Sequence, residues 1–172
     1  MNLLDYLPIV PDFPRPGIMF RDISPLLAES IAFNQVIDEL HLLAKNYSYD
    51  YIVGLESRGF IFASALAYIA RSPLVMVRKP SKLPKEVFEE SYGLEYAVDK
   101  LQIQKNILSP QSKVLLIDDV LATGGSLLAT SKLVQQSESH VVGALTVLEI
   151  TKLGGSQKLL SEGINNQSIL KS

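Results

Sequence analysis

The sequence contains no cysteine and only two histidines, His41 and His140, among its 172 residues. Without cysteine there is no disulfide framework, no thiol nucleophile and no thiolate-held zinc or iron–sulfur centre. Two histidines cannot build a multi-histidine metal site. Neither sign of charge is in excess: 16 Lys+Arg stand against 18 Asp+Glu, a net charge of −2. That balance excludes a dedicated nucleic-acid binder with a broad basic face, although it leaves room for a local patch. Long apolar runs are missing too. The most apolar uncharged stretch, Gly59 to Ala70, has 12 residues, short of the roughly 20 that a spanning helix needs. Asp5 interrupts the N-terminus and the first cation is Arg15, so the early positive charge and sustained apolar region of a signal peptide are absent. No nucleic-acid partner, no membrane partner and a cytoplasmic location are expected.

What is present reads as one domain over 1–172 with a substantial core, because 47% of the residues are hydrophobic and a disordered chain has far fewer. The opening, Tyr6 to Pro25, carries Pro8, Pro11, Pro14, Pro16 and Pro25. It cannot be a regular helix and reads as an irregular arm anchored by Phe13 and Phe20. From Ile31 to Tyr47, Phe33, Val36, Ile37, Leu40, Leu43 and Tyr47 recur at helical spacing, with His41 off the stripe and expected in solvent. Tyr51–Leu55, Leu74–Val77, Val114–Ile117 and Val141–Ile150 read as strands, and Gly59–Ala70 and Ser126–Gln136 as helices. Strands alternating with helices predict a parallel sheet covered on both faces. Ligands are expected beyond the carboxyl ends of its strands. Between Arg78 and Lys113 the chain turns polar. It has four cations and no acid from Arg78 to Lys85, then Glu86, Glu89, Glu90, Glu95 and Asp99. A long insertion of this kind reads as a functional lid over about 80–105.

The most informative segment is Lys113-Val-Leu-Leu-Ile-Asp-Asp-Val-Leu-Ala-Thr-Gly-Gly-Ser126. A buried strand delivers Asp118 and Asp119 at its carboxyl end, and a short loop, Ala122 to Ser126, opens a helix. Gly124 and Gly125 allow a tight turn and close approach to an anion. Free amides at the helix start, with the Thr123 and Ser126 hydroxyls, suit a phosphate. No lysine follows the glycines, and neither the G-x-x-x-x-G nor the G-x-G-x-x-G spacing is present, so nucleotide-triphosphate and dinucleotide loops do not fit. Two carboxylates ahead of a phosphate loop suit a sugar phosphate, with phosphate on the amides and diol on the acids. They also supply negative charge beside a sugar carbon that turns cationic. Glu56-Ser57-Arg58-Gly59, where a strand gives way to a helix, is a second anion-receptive junction, and Arg58 has the fork to hold pyrophosphate.

Asp118-Asp-Val-Leu-Ala-Thr-Gly-Gly-Ser126 resembles the phosphoribosyl-pyrophosphate signature of the type I phosphoribosyltransferases. The resemblance to the branch acting on adenine extends through most of the chain. It takes in Asp12-Phe-Pro-Arg-Pro-Gly-Ile-Met-Phe-Arg-Asp-Ile-Ser-Pro25, Gly54-Leu-Glu-Ser-Arg-Gly-Phe60, Arg78-Lys-Pro-Ser-Lys-Leu-Pro84 and Ser91-Tyr-Gly-Leu-Glu-Tyr96. It implies an α/β fold, a mostly parallel twisted sheet with helices on both faces, plus a small N-terminal hood mainly from 1–30. It also implies that adenine and phosphoribosyl pyrophosphate give AMP and pyrophosphate in purine salvage, with substrate-bound Mg²⁺ and a homodimer.

By the same resemblance, Asp118 and Asp119 serve the diol and the cationic sugar, and Ala122, Thr123, Gly124, Gly125 and Ser126 hold the 5′-phosphate. Ser57 and Arg58 belong to a pyrophosphate loop with a cis Glu56–Ser57 peptide. Arg78, Lys79 and Lys82, with Lys85 beside them, clamp the diphosphate. Glu95 and Tyr96 sit in a mobile loop, where Glu95 takes the proton lost from purine N9. Met19, Phe20 and Arg21 line the adenine pocket, with Ile150 on the opposite ring face and Leu121 nearby. Ser81 and Ala97 stand where the family has glycine, which implies a stiffer turn and hinge. Two rivals are a sister enzyme for hypoxanthine, guanine or xanthine and a non-catalytic sensor of the same fold. The adenine-type arm weighs against the first, and the presence of Arg58 and Glu95 against the second.

Overall fold

The computed structural model describes residues 2–94 and 97–172, which fall into two compact units, one running to Glu39 and the other Leu40–Ser172. In the first unit the proline-rich arm carries structure of its own. Ile9–Pro11 (β1) and Met19–Arg21 (β2) pair antiparallel, with Val10 opposite Phe20. Proline forbids helix here but is tolerated in a short edge pairing. Asp12 at φ +56°, a cis Phe13–Pro14 bond and Gly17 at φ +87° make the reversal, and Asp12 Oδ1 accepts the Gly17 amide at 2.7 Å. Phe13 and Phe20 anchor each other, edge to face with centroids 5.0 Å apart.

Ser24–Ala28 (α1) and Ser30–Ala44 (α2) follow. The second helix stops at Ala44, not at the expected Tyr47, whose amide closes a tight turn onto Ala44 O at 3.1 Å. The freed Tyr47 ring fills the space over Gly143, where a β-carbon would overlap it. His41 is half-buried rather than solvated, with Nδ1 enclosed and lacking a hydrogen-bond partner. It lies one helical turn from Ile37 and from Ala44, both buried, so it shares the edge of their face.

In the second unit Tyr51–Leu55 (β3), Gly59–Ala70 (α3) and Leu74–Val77 (β4) precede an antiparallel pair, Val87–Leu94 (β5) and Ala97–Gln104 (β6). Lys113–Leu121 (β7), Gly125–Gln136 (α4), His140–Glu149 (β8), Gly155–Ser161 (α5) and Asn166–Lys171 (β9) complete it. Five strands form one parallel sheet in the order β4-β3-β7-β8-β9. The middle strand β7 is buried at every residue from Val114 to Asp119, as expected of a parallel strand covered on both faces. Val53, Leu55, Val77, Leu116 and Leu133 belong to one buried cluster.

The strand order reverses at β3. The chain steps outward from β3 to β4, then returns to lay β7 on the other side of β3 and continues to β8 and β9. Such a switch point opens a crevice at the carboxyl ends of the two strands that flank it. The register shows the opening directly. Pairing of β3 with β7 stops at Gly54 opposite Ile117, whereas β7 stays paired with β8 as far as Leu121 opposite Glu149. The strand therefore runs past the expected end at Ile117, because β8 supports it after β3 has left.

The polar stretch read as a lid contains the β5–β6 pair, and its root is part of the core. Alternation along β6 buries Leu101 and Ile103, while Gln102 and Gln104 at the alternate positions stay half-buried. Gln102 also bridges to Arg78 at the end of β4. On the exposed side Glu89 takes Lys100 and Gln102, each at 2.6 Å. The segment 163–172, which carries no clear sequence signal, supplies the edge strand β9.

Candidate active site

Asp118 and Asp119 sit on the end of β7 that β3 no longer pairs and are buried, 8% and 7% exposed. Asp118 Oδ1 accepts the Asp119 amide at 2.9 Å. Arg58, at the turn into α3, brings Nε within 2.7 Å of Asp119 Oδ2. That oxygen is enclosed and receives no aligned hydrogen bond, so the contact is charge pairing. Gly59 packs directly on the pair, since a β-carbon there would lie 2.7 Å from Asp118 Oδ1. Burial first, then the Asp119 charge, pushes the Asp118 carboxyl well above the usual carboxylate range, against the pull of the Asp119 amide and Arg58. Two acids so placed can accept from a diol and stabilise developing positive charge in a poorly solvated crevice.

The Glu56–Ser57 peptide is cis, as the resemblance implies. Glu56 Oε2 accepts the Lys79 amide at 2.8 Å and Arg78 Nε at 3.2 Å. Burial alone would raise the Glu56 carboxyl; these two bonds, together with the Arg78 and Lys82 charges, outweigh it and hold the group below its ordinary value. Glu56 thus ties the end of β3 to the cationic segment after β4. Arg78 is half-buried and its guanidinium also covers the Phe60 ring at 5.7 Å. Lys79, Lys82 and Ser57 are exposed. Ser81 holds φ +66°, a conformation glycine adopts freely and serine only at about 1 kcal/mol or more, which explains why its position suits glycine.

Gly124 caps α4 at φ +82° with no side-chain cap, and the helix's first bond runs from the Leu128 amide to Gly124 O at 3.0 Å. The amides of Gly125, Ser126 and Leu127 therefore have no intrahelical acceptor, an arrangement that receives an anion. The Tyr92 ring, from β5, lies against Gly125, 3.4 Å from where a β-carbon would stand. Burial, then Asp99 and Asp118, pushes the Tyr92 hydroxyl up to about 12. It stays neutral, and the hydroxyl donates to Asp99 Oδ2 at 3.5 Å.

At the end of β8, the Ile150 amide donates to Leu121 O at 2.9 Å, which brings together the two residues expected beside the base. In the first unit Met19, Phe20 and Arg21 make up β2, and Arg21 Nη1 donates to Leu7 O at 2.9 Å. Glu95 and Tyr96 lie outside the described residues. Sequence reasoning gave no role to Glu56, Tyr92 or Gly155. The first two stood inside quoted motifs, but their partners are distant in sequence.

A family model, the phosphoribosyl transferase domain, matches residues 23–162. The adenine phosphoribosyltransferase of Polynucleobacter necessarius subsp. necessarius is 56% identical over 172 residues, 100% of both chains. The crystal structure of adenine phosphoribosyltransferase from Thermoanaerobacter pseudethanolicus aligns with a TM-score of 0.94 at 38% identity, covering 99% of this chain and 98% of that one. The Saccharomyces cerevisiae enzyme, solved in complex with adenine, aligns with a TM-score of 0.88 at 40% identity, covering 98% and 96%.

Proposed function

The chain belongs to the adenine phosphoribosyltransferases, a branch of the phosphoribosyltransferase family, and from that premise we propose how its residues divide the reaction. As a pentosyltransferase of purine salvage it converts adenine and phosphoribosyl pyrophosphate to AMP and pyrophosphate. The observation that carries the division of labour is the buried acid pair at the open end of β7, directly ahead of the uncapped start of α4.

Ala122 to Ser126 hold the 5′-phosphate through loop and helix amides and the two hydroxyls. Asp118 and Asp119 accept from the ribose hydroxyls and face the anomeric carbon as its bond to pyrophosphate breaks. The bonding pair leaves with pyrophosphate, which Ser57, Arg58 and the Arg78, Lys79 and Lys82 segment receive. Purine N9 forms the new bond with inversion, and its proton passes to Glu95 while Tyr96 and the rest of the loop exclude water. Met19, Phe20 and Arg21 recognise adenine, with Ile150 and Leu121. In this scheme Glu56 orients Arg78 and Lys79 and is not itself a reacting group.

Mg²⁺ enters with the substrate. Among the described residues no three His, Asp or Glu gather as a metal-binding set. The ion would be held mainly by the substrate's diphosphate and ribose hydroxyls, and the oxygens of Asp118 and Asp119 would suit such a hard cation. When bound, it neutralises charge on the leaving diphosphate. A homodimer is part of the proposal, supported by Leu74 and Met76 exposed on the edge strand β4 and by Tyr68, 73% exposed on α3. A cytoplasmic location completes it; among the described residues no helix is long and apolar enough to cross a membrane.

The test is incubation of the chain with adenine and phosphoribosyl pyrophosphate, with Mg²⁺ or with a chelator. AMP and pyrophosphate in equal amounts, lost on chelation, are expected; bound phosphoribosyl pyrophosphate without product would make the chain a sensor. Glu95→Gln is expected to lower kcat by about a hundredfold or more while the KM for adenine stays near the parent's. An unchanged kcat removes Glu95 from the chemistry.

A further inference from the structure

Resting on the assignment of Ala122 to Ser126 to the 5′-phosphate, we infer that Gly155 is a positioning residue for that loop, a backstop whose missing side chain sets where the amides stand. Gly155 opens α5 and is buried. A β-carbon on it would overlap Ala122 O and come within 2.8 Å of Leu121 Cδ1 and 3.0 Å of the Gly124 amide nitrogen. From the other side, a β-carbon on Gly124 would lie 3.1 Å from Gly155 O and 3.4 Å from Gly155 Cα. The back of the phosphate loop thus rests on bare main chain. A side chain can rotate away from a clash, but two backbones in contact can only separate.

The backstop is itself held. Leu159, on the next turn of α5, is fully buried in the same cluster as Leu121 and Leu127, which flank the loop. Gly124 turns the loop at φ +82° and opens α4, so pressure on Gly124 alters the direction of the amides at Gly125 and Ser126. Displacing a binding group by about 1 Å costs on the order of a hundredfold in rate.

The preceding residue provides the control. Gly154 has φ +72° and nothing within 4 Å of its β position. Its glycine serves the turn before α5, and a β-carbon there would reach no part of the loop, so the two neighbouring glycines separate a strained turn from a displaced phosphate site.

The experiment compares the parent chain with Gly155→Ala and Gly154→Ala, varying phosphoribosyl pyrophosphate and adenine in turn and recording Tm. Gly155→Ala is expected to raise the KM for phosphoribosyl pyrophosphate by about ten- to a hundredfold and to weaken AMP binding in proportion, with a smaller rise in the KM for adenine because the new β-carbon also meets Leu121. Gly154→Ala is expected to lower Tm and move neither KM. The inference is overturned by a parental KM for phosphoribosyl pyrophosphate in Gly155→Ala, by an equal rise in both KM values, or by the same selective rise in Gly154→Ala. Should Gly155→Ala fail to fold, Leu159→Ala loosens the backstop without a collision. A fall in Tm with a selective rise in that KM supports the inference, and a fall in Tm with both KM values parental overturns it. A parent that makes no AMP would instead undo the function itself, whereas a parent that makes AMP beside an unaltered Gly155→Ala removes only the role of Gly155.

Discussion

Replacing Asp118 and Asp119 together by asparagine is expected to lower kcat/KM by about a thousandfold or more while the chain remains folded. Asparagine keeps the shape and one oxygen at each position but removes both negative charges from the crevice in which the sugar carbon becomes cationic. The single variant Asp118→Asn carries a second expectation, in stability. Burial, then Asp119, pushes the Asp118 carboxyl well above its ordinary value. A group whose folded pKa exceeds its unfolded value contributes stability below the unfolded pKa, and that contribution is lost as pH rises through the folded one. The parent should therefore lose stability relative to Asp118→Asn as pH climbs from about 4 towards neutrality. Melting both proteins across that range checks it, and coincident pH profiles would contradict the burial argument. An acid that weakens the fold at working pH is held for its chemistry.

Arg58→Ala is expected to move activity in the same direction and stability in the opposite one. Its Nε stands 2.7 Å from the enclosed Asp119 Oδ2, and removing it leaves two buried acids without that cation. Removing one partner of a fully buried ion pair costs about 3–5 kcal/mol, and the partial exposure of Arg58, 31%, lowers that figure here. Alanine also takes away the donor proposed for pyrophosphate, so kcat/KM should fall by about a hundredfold or more. Arg58→Lys should recover part of the stability but less of the activity, because a point charge replaces a planar fork. Urea midpoints and steady-state rates on the three proteins test this, and a parental kcat/KM in Arg58→Ala would remove Arg58 from the site.

What was legible in the sequence was contiguous chemistry. In Asp118 to Ser126 the acids, the turn glycines and the hydroxyls lie side by side, so one reading of the run exposes a sugar-phosphate site before any packing is known. The aliphatic runs of β3 and β7 were equally plain, since a strand buried on both faces has nowhere to put polar residues. Charge misled in two places. Asp118 and Asp119 looked like the end of a strand, yet β7 continues because β8 pairs with it to Leu121. The acids of β5 and β6 and the single lysine, Lys100, hid the alternation that carries Leu101 and Ile103 into the core.

Tertiary contacts were out of reach. The partners of Glu56 lie 22 and 23 residues away at Arg78 and Lys79. Nothing in Gly154-Gly155 says that one glycine faces open space while the other backs the phosphate loop. His41 was misjudged for a related reason, because a helical stripe marks the centre of a buried face and not its edge.

The most direct measurement places adenine, hypoxanthine, guanine and xanthine at equal concentration in one vessel with Mg²⁺ and limiting phosphoribosyl pyrophosphate, and resolves the nucleotides by mass. The account predicts that the phosphoribosyl group is recovered as AMP, with pyrophosphate in equal amount. Recovery as another nucleotide would contradict the assignment of Met19, Phe20 and Arg21 to adenine, and recovery of unreacted phosphoribosyl pyrophosphate would contradict the account as a whole.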